Sequence, residues 1–155
     1  MALFNWIDYS DEYAILVESW LDDEAVKFTG IDQGWAAYYD YCINDLSPLV
    51  NGEIYIKIAC DEKNPFGIFC LCNVDGTYSI SEIFISPEKR GMGYGSKALQ
   101  DMLLHSEEIF GVEIVIAKTV IFPNNTASKK AFEKAGFEFE SAHPDGDAWY
   151  YIYRK

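Results

Sequence analysis

The sequence of 155 residues has few basic residues, few histidines and no long apolar run. Twelve Lys and Arg residues stand against 25 Asp and Glu residues, which gives a net charge of −13. So acidic a chain repels phosphate backbones, which excludes general nucleic-acid binding. No apolar run approaches the ~20 residues of a membrane span, so we expect no membrane association. The first residues do not resemble a signal peptide, so we expect a cytoplasmic protein.

Cysteine is also scarce, and the spacing of the cysteines does not indicate a disulfide framework. The four cysteines are Cys42, Cys60, Cys70 and Cys72. Cys70 and Cys72 lie two apart in a strand-like run, and no second pair accompanies them at the spacing of a metal site. The sequence therefore predicts reduced thiols, typical of the cytoplasm, and no metal.

The remaining composition is that of a folded protein. Half of the residues are apolar and 16% are aromatic, which excludes intrinsic disorder. The sequence has no internal repeat, no low-complexity tract and no linker rich in Pro, Gly or Ser. We therefore predict one domain over residues 1–155.

The charge is distributed unevenly along the chain. Residues 1–87 carry three Lys and 15 acidic residues, a charge of −12. Residues 88–136 carry seven basic and six acidic residues, a charge of +1, and residues 137–155 carry −2. Two interpretations remain open. The nearly neutral segment is either the solvated face of a helix or a site for an anion, in a protein that otherwise attracts cations.

The hydrophobic period changes several times, which predicts both helices and strands. The predicted helices are 11–21, 34–46, 95–105 and 125–135. The predicted strands are 54–60, 66–74, 78–85, 112–120, 137–141 and 149–153, the first three joined as an antiparallel meander. This order indicates an α/β (α+β) domain with a mixed sheet.

A glycine-rich turn follows the third predicted strand. Pro87 ends that strand, and the segment Arg90-Gly91-Met92-Gly93-Tyr94-Gly95 leads directly into a helix. Glycines allow a tight turn and a close approach, and the amides at a helix start can hold a phosphate. The turn is not a Walker loop, because no lysine follows Gly95, and it does not follow the first strand of a parallel unit.

Two linked motifs make the sequence similar to a known family. Arg90-x-x-Gly93-x-Gly95 resembles the Arg/Gln-x-x-Gly-x-Gly/Ala motif of the GNAT superfamily of acyl-CoA N-acyltransferases. The segment 125–137 resembles the Asn-x-x-Ser/Ala…Glu-Lys-x-Gly-Phe helix of its ribosomal-protein and aminoglycoside N-acetyltransferase branch. The resemblance implies a mixed, mostly antiparallel sheet flanked by about four helices. It also implies a V-shaped splay between strands 4 and 5, with acetyl-CoA in the cleft.

The resemblance also implies how acetyl-CoA is bound. Main-chain amides of the glycine-rich turn would hold the pyrophosphate: Arg90, Gly91, Met92, Gly93, Tyr94, Gly95 and Ser96. Main-chain groups of Ile83, Phe84 and Ile85 would pair with the pantetheine arm and polarise the thioester carbonyl. The cations of the basic segment would face the CoA phosphates: Lys89, Arg90, Lys97, Lys129 and Lys130.

The predicted helix 125–135 supplies further candidates. Asn125 would either steady the pantetheine arm or only cap the helix. Many members of the family have a tyrosine where this chain has Phe132, which lines the cofactor site but has no proton to give. Ser128 lies one turn earlier and would assist the leaving thiolate, unless it is only a packing serine.

The general base is left open by the sequence. Glu82, on the predicted strand 78–85, is our first candidate. A water ordered by strand residues from Ile80 onward is a second, and Tyr151, Tyr153 and His143 are others. His105, at a helix end, is expected to interact with the helix dipole.

The first two helices would line the acceptor pocket, by the same resemblance. Their aromatic residues either pack in the core or line the ligand pocket: Trp35, Tyr38, Tyr39 and Tyr41. Nearby acids would favour a cationic amine: Asp22, Asp23, Glu24, Asp32 and Asp40. We therefore predict an acetyl-CoA-dependent N-acetyltransferase that acts on a primary amine of a small cationic acceptor. The alternatives are a protein N-terminus or lysine as acceptor, and a non-catalytic acyl-CoA-binding regulatory module; a homodimer is left open.

Overall fold

Seven strands form one sheet in the computed structural model, which describes residues 1–155. The strands are β1 (Asn5–Asp8), β2 (Ile54–Asp61), β3 (Asn64–Val74), β4 (Thr77–Ile85), β5 (Ile116–Ile121), β6 (Glu138–Ala142) and β7 (Trp149–Arg154). Their spatial order is β1-β2-β3-β4-β5-β7-β6. Only the β4–β5 pair is parallel. The predicted mixed, mostly antiparallel sheet is confirmed.

The helices are more numerous than the four that the sequence predicts, because α2, α4 and α6 lie outside the predicted ranges. They are α1 (Ala14–Ser19), α2 (Asp23–Thr29), α3 (Trp35–Tyr41), α4 (Ser47–Leu49), α5 (Tyr94–Leu104), α6 (Ser106–Phe110) and α7 (Thr126–Lys134). The predicted helix 34–46 is observed as one helical run, because α3 continues through a π turn at Cys42–Leu46 directly into α4. None of these helices combines the length and the apolar character that crossing a membrane requires.

The meander of β2, β3 and β4 is closed by two tight turns. Asp75 and Gly76 both have positive φ, 52° and 91°, between β3 and β4. An Asp-Gly pair in this conformation matches the twist of a hairpin. The Oδ1 atom of Asn73 accepts the N–H of Gly76 at 2.8 Å and fixes the turn.

Two apolar cores lie on opposite faces of the sheet, because side chains alternate along a strand. On β3, Phe69 belongs to the core under α5 and α7, and Ile68 belongs to the core under α1 and α3. The first core includes Leu71, Ile80, Leu99, Met102, Phe132, Phe137 and Tyr151. The second includes Val17, Trp20, Trp35, Cys70 and Phe84.

Strand β1 is held to helix α5 by a buried carboxylate. Asp101 accepts the main-chain N–H groups of Leu3 at 2.6 Å and Phe4 at 3.0 Å, and the indole N–H of Trp6 at 2.8 Å. Its fourth partner is His105, whose Nδ1 lies 3.0 Å from Oδ1. These hydrogen bonds keep the pKa of Asp101 below its usual value even though burial opposes ionisation.

The sheet opens between β4 and β5. Their parallel pairing is confined to Thr77–Ser79 opposite Ile116–Lys118. Ser81 is the extra residue of a bulge against β3, where Leu71 pairs with Ile80 and Cys70 with Glu82. A bulge bends its strand, and beyond this point β4 no longer pairs with β5. The predicted splay between strands 4 and 5 is confirmed.

Candidate functional site

The glycine-rich turn forms a cradle of main-chain amides at the start of α5. Gly91 and Gly93 have φ of 73° and 84°, the left-handed region that favours glycine. No acceptor within the chain takes the N–H groups of residues 91–96. Such amides at the start of a helix of 11 residues attract an anion.

The end of β4 supplies main-chain groups to one wall of the splay. The N–H of Ser86 donates to the carbonyl of Phe66 at 2.7 Å, so Phe84, two residues earlier, also directs its main chain toward β3. Ile83 and Ile85 alternate with them and direct theirs toward the splay. The main chain of Phe84 was expected to pair with the pantetheine arm. In the structure it is directed toward β3 instead, where Phe84 pairs with Ile68.

Arg90 differs from its expected role as a cation for the CoA phosphates. Its Nη1 lies 2.7 Å from Oδ2 of Asp22 and 3.1 Å from Oε2 of Glu24. Its Nε donates to the carbonyl of Ile85 at 3.1 Å. The guanidinium therefore faces the acidic helices and is already paired.

The other basic residues of this segment remain near the cradle and α7. Lys89 lies over the ring of Tyr94, with Nζ 5.0 Å from the centroid, and Lys129 lies over Trp149 at 5.1 Å. Lys97 and Lys130 form no ion pair. Four lysines thus keep their charge available to an anion.

Helix α7 begins at the cap that the sequence offers as one alternative. Oδ1 of Asn125 accepts the N–H of Ser128 at 3.2 Å, which leaves the amide nitrogen of Asn125 free. The hydroxyl of half-buried Ser128 forms no hydrogen bond within the chain. Phe132, 6% exposed, packs edge-on against Phe137 with centroids 5.0 Å apart. Phe132 therefore packs in the core under α5 and α7.

Glu82 lies on the other face of the sheet, the face covered by α1 and α3. It alternates in step with Phe84, whose side chain belongs to that core. Burial raises the pKa of Glu82 from 4.5 to about 8. Burial also raises the pKa of Cys42 to about 11, with smaller contributions that include the charge of Glu82. A carboxyl with a pKa near 8 can exchange protons with an amine at neutral pH.

An aromatic wall stands on this same face. Trp35 is 1% exposed and packs against Phe84 at 5.9 Å and Tyr9 at 5.2 Å between centroids. Trp35 therefore belongs to the core and not to an open ligand box. Tyr38 and Tyr39 are half-buried beside it, and burial raises the pKa of Tyr38.

Three of the five predicted acids remain without a cationic partner. Asp23, Asp32 and Asp40 are exposed and form no ion pair, whereas Asp22 and Glu24 bind Arg90. The negative potential of this wall therefore comes from fewer groups than the sequence predicts.

The remaining candidates for the base lie apart from this wall. Tyr151 is buried in the α5–α7 core, where desolvation raises its pKa, and Tyr153 packs near Phe137 at 5.6 Å. His143 lies in the turn between β6 and β7, with Nδ1 3.5 Å from Oδ2 of Asp145. His105 binds Asp101 instead of acting only on the helix dipole.

The sequence itself matches a known family over most of its length. The model of the Acetyltransferase (GNAT) family matches residues 9–137. The chain belongs to the GNAT acetyltransferase family. No curated protein sequence matches it.

Solved structures of other GNAT proteins share the fold at low sequence identity. The aminoglycoside acetyltransferase AAC(6')-Ib, in complex with coenzyme A and kanamycin, is 19% identical, with 98% of this chain and 95% of that chain covered and a TM-score of 0.74. Spermidine N-acetyltransferase from Vibrio cholerae, in complex with CoA and spermine, is 14% identical, with 97% and 95% covered and a TM-score of 0.75. A GNAT acetyltransferase from Bacillus anthracis is 21% identical, with 99% and 96% covered and a TM-score of 0.70.

This GNAT chain is an N-acetyltransferase with acetyl-CoA as its co-substrate. Three features of the structure fit that ligand: the free amides of residues 91–96, the open wall of β4, and the four free lysines. Acetyl-CoA supplies an activated acetyl thioester, and the chain itself supplies binding, orientation and proton transfer. No group of three or more His, Cys, Asp and Glu residues could hold a metal ion.

Some residues of this GNAT site were missed by the sequence analysis. Tyr9 packs against Trp35 and Tyr39, but it follows a strand too short to be recognised from its pattern. The pairing of Arg90 with Asp22 joins residues 68 positions apart, and no local signal indicates it.

Proposed function

We propose that the enzyme transfers the acetyl group of acetyl-CoA to a primary amine of a small cationic acceptor, such as a polyamine or an aminoglycoside. The observation that carries this proposal is the half-buried carboxyl of Glu82, whose pKa burial raises and which lies on the acceptor face of the strand that borders the cleft. We further propose that it acts as a single cytoplasmic domain, which its four free cysteines support.

Glu82 acts as the general base in this proposal. A protonated amine cannot attack a thioester, so a proton must leave the nitrogen before or during attack. A carboxylate with a pKa of about 8 accepts that proton more readily than one near 4.5. The amine nitrogen then forms a bond to the carbonyl carbon, and the bond from that carbon to sulfur breaks.

The main chain of β4 polarises the thioester carbonyl. The N–H groups of Ile83 and Ile85 face the splay, and either can donate to the oxygen that becomes negative during attack. Holding both substrates in one complex supplies much of the rate, because it removes the entropy of encounter.

The charge of helices α1, α2 and α3, which form the acceptor wall in this proposal, supports a cationic substrate. Residues 1–87, which include this wall, carry −12, and Asp23, Asp32 and Asp40 are exposed without a cationic partner. Two neighbours of the same fold were solved with kanamycin and with spermine. Both ligands are polycations.

A panel of amines tests the proposed function. We expect spermine or kanamycin to be acetylated with a higher kcat/KM than a peptide N-terminus or a lysine peptide, measured by release of CoA thiol. A higher kcat/KM for a peptide would contradict a small-molecule acceptor and favour a protein N-terminus or lysine. Absence of turnover with every amine would contradict the proposed acetyl transfer to amines.

Salt should weaken the binding of the acceptor more than it changes the rate of the chemical step. Raising the ionic strength from about 0.01 M to about 0.1 M shortens the Debye length from about 30 Å to about 10 Å. We expect the KM for spermine to rise severalfold and kcat to stay constant, as measured by initial rates.

A charge-matched pair of variants locates this effect. Asp40→Asn should reduce the salt dependence, whereas Asp75→Asn, in the β3–β4 turn, should not. Asn tolerates the positive φ of 52° at that turn. A neutral best substrate whose KM is insensitive to salt would contradict the proposal.

Ser128 should assist the leaving thiolate in place of the tyrosine that this chain lacks. Its hydroxyl is free, and it lies one turn before Phe132 on the same face of α7. General acid assistance contributes roughly 10²–10⁴-fold, and we expect the lower end, because a thiolate leaves largely unaided. Ser128→Ala should lower kcat while calorimetry shows the same acetyl-CoA affinity.

Two further variants separate this role from packing. Phe132→Tyr in the Ser128→Ala background should recover part of kcat, and Ser141→Ala, on exposed β6, should have no effect. A wild-type rate for Ser128→Ala would show that the serine is structural. The thiolate would then take its proton from water, Tyr151 or Tyr153.

A further inference from the structure

Arg90 belongs to the cradle by its main chain, but its side chain reaches the helices of the acceptor wall. Besides Asp22, Glu24 and the carbonyl of Ile85, the guanidinium binds the carbonyl of Trp20, at 3.0 Å from Nη2. The side chain is 23% exposed, so these hydrogen bonds are partly shielded from water.

These contacts fix the junction between α1 and α2. The carbonyl of Trp20 lies at the end of α1, where helix carbonyls lack partners of their own. Asp22 uses both carboxylate oxygens: Oδ1 accepts the N–H of Ala25 and caps α2 at 3.0 Å, and Oδ2 binds Arg90. The hydrogen bond from Arg90, together with the helix cap, holds the pKa of Asp22 below its usual value.

The same junction positions the aromatic wall. Trp20 is 3% exposed and belongs to the buried cluster that contains Trp35 and Phe84. Closely packed side chains transmit displacements to their neighbours. A shift of the junction therefore changes the surface that an acceptor amine meets.

We propose that Arg90 is a positioning residue that couples CoA binding at the cradle to the order of the α1–α2 junction, and through it to acceptor affinity. CoA fixes the main chain of residues 90–96, which fixes the point from which the Arg90 side chain extends. By linkage, the acceptor must then raise the affinity for CoA by the same factor. The acceptor part of this inference rests on the proposed function, but the coupling from CoA to the junction does not.

Hydrogen exchange with CoA as the only ligand tests the coupling. We expect saturating CoA to slow amide exchange of the peptide covering residues 20–26 by about fivefold, the lower range of typical coupling factors. In Asp22→Asn, CoA should still bind, but the protection of this peptide should be lost. Asparagine caps a helix as well as aspartate does, so the variant keeps the start of α2 and loses the ion pair.

Asp23→Asn is the matched control, because it makes the same charge change one residue away at an exposed side chain without an ion pair. We expect it to show wild-type protection. Equal protection in Asp22→Asn and the wild type, or none in wild-type protein with CoA bound, would overturn the coupling. Failure of the wild type to bind CoA would instead overturn the use of acetyl-CoA itself, and this inference with it.

Steady-state kinetics give the second readout. Asp22→Asn should raise the KM for spermine by about fivefold, the same coupling factor, with little change in kcat. Arg90→Lys should keep part of the coupling, whereas Arg90→Gln should lose it, since only lysine keeps a charge for Asp22. Equal spermine KM values for the wild type and all three variants would contradict the acceptor part alone.

Discussion

Glu82→Gln should lower kcat by roughly 10²–10⁴-fold, the range that a general base contributes. Glutamine keeps the size and polarity of the side chain but cannot accept a proton from the amine. The affinity for acetyl-CoA should not change, because Glu82 lies on the face of β4 opposite the α5–α7 core. Calorimetry and initial rates with spermine measure the two quantities separately.

The pH profile distinguishes a base from a structural carboxyl. Burial raises the pKa of Glu82 to about 8, so the wild-type kcat should rise with pH and level off above that value. The residual activity of Glu82→Gln should lack this inflection. A wild-type profile that is flat between pH 6 and pH 9 would contradict the assignment.

The same shift predicts how the variant's stability depends on pH. The pKa of Glu82 is about 8 in the folded state, compared with 4.5 for an unperturbed carboxyl, as in the unfolded chain. The folded protein therefore binds the proton more tightly than the unfolded chain does. This contribution is fully present below pH 4.5 and is lost as the pH rises through 8. Glu82→Gln should therefore gain stability relative to the wild type above pH 8, by on the order of 1–4 kcal/mol. Urea unfolding measures the difference, with exposed Glu138→Gln as the control for charge.

Gly93→Asp should weaken acetyl-CoA binding at least tenfold, which corresponds to about 1.4 kcal/mol. The carboxylate would stand in the cradle of free amides that we propose for the pyrophosphate. A Cβ at this position meets no atom within 4 Å, so the loss would not come from a steric clash. The φ of 84° nevertheless strains any residue with a side chain.

Gly93→Asn separates charge from strain. Asparagine brings the same backbone strain and a similar volume but no charge, so it should lose much less affinity than aspartate, as measured by calorimetry. Equal losses for the two variants would show that backbone strain dominates. Unchanged affinity in a folded Gly93→Asp protein would contradict the assignment of the loop.

Local patterns in the sequence predicted the central part of the fold. The β-branched and aromatic runs of β2, β3 and β4, the Asp75-Gly76 turn and the glycine-rich start of α5 each depend on neighbouring residues. Asn125 shows the same rule, because a cap depends only on the first turn of its own helix. These elements were recognised with small errors at their ends.

Contacts between distant residues account for what the sequence did not show. Strand β1 has only four residues and is fixed by β2 and by Asp101, 97 positions beyond Phe4. The paired state of Arg90 depends on the distant Asp22, so its charge was assigned to the cofactor instead. The elevated pKa of Glu82 comes from burial under helices whose packing no local pattern specifies.

The narrow β4–β5 seam also bears on the order in which the chain folds. Only three residue pairs join β4 to β5, and the chain passes through α5 and α6 before it can form them. The hairpin contacts of β2, β3 and β4 close short loops. The parallel crossover must close a long loop, and the entropic cost of that closure comes before any strand pairing can offset it. We therefore expect the meander to form early and the seam late, so that the cleft is the last part of the sheet to assemble.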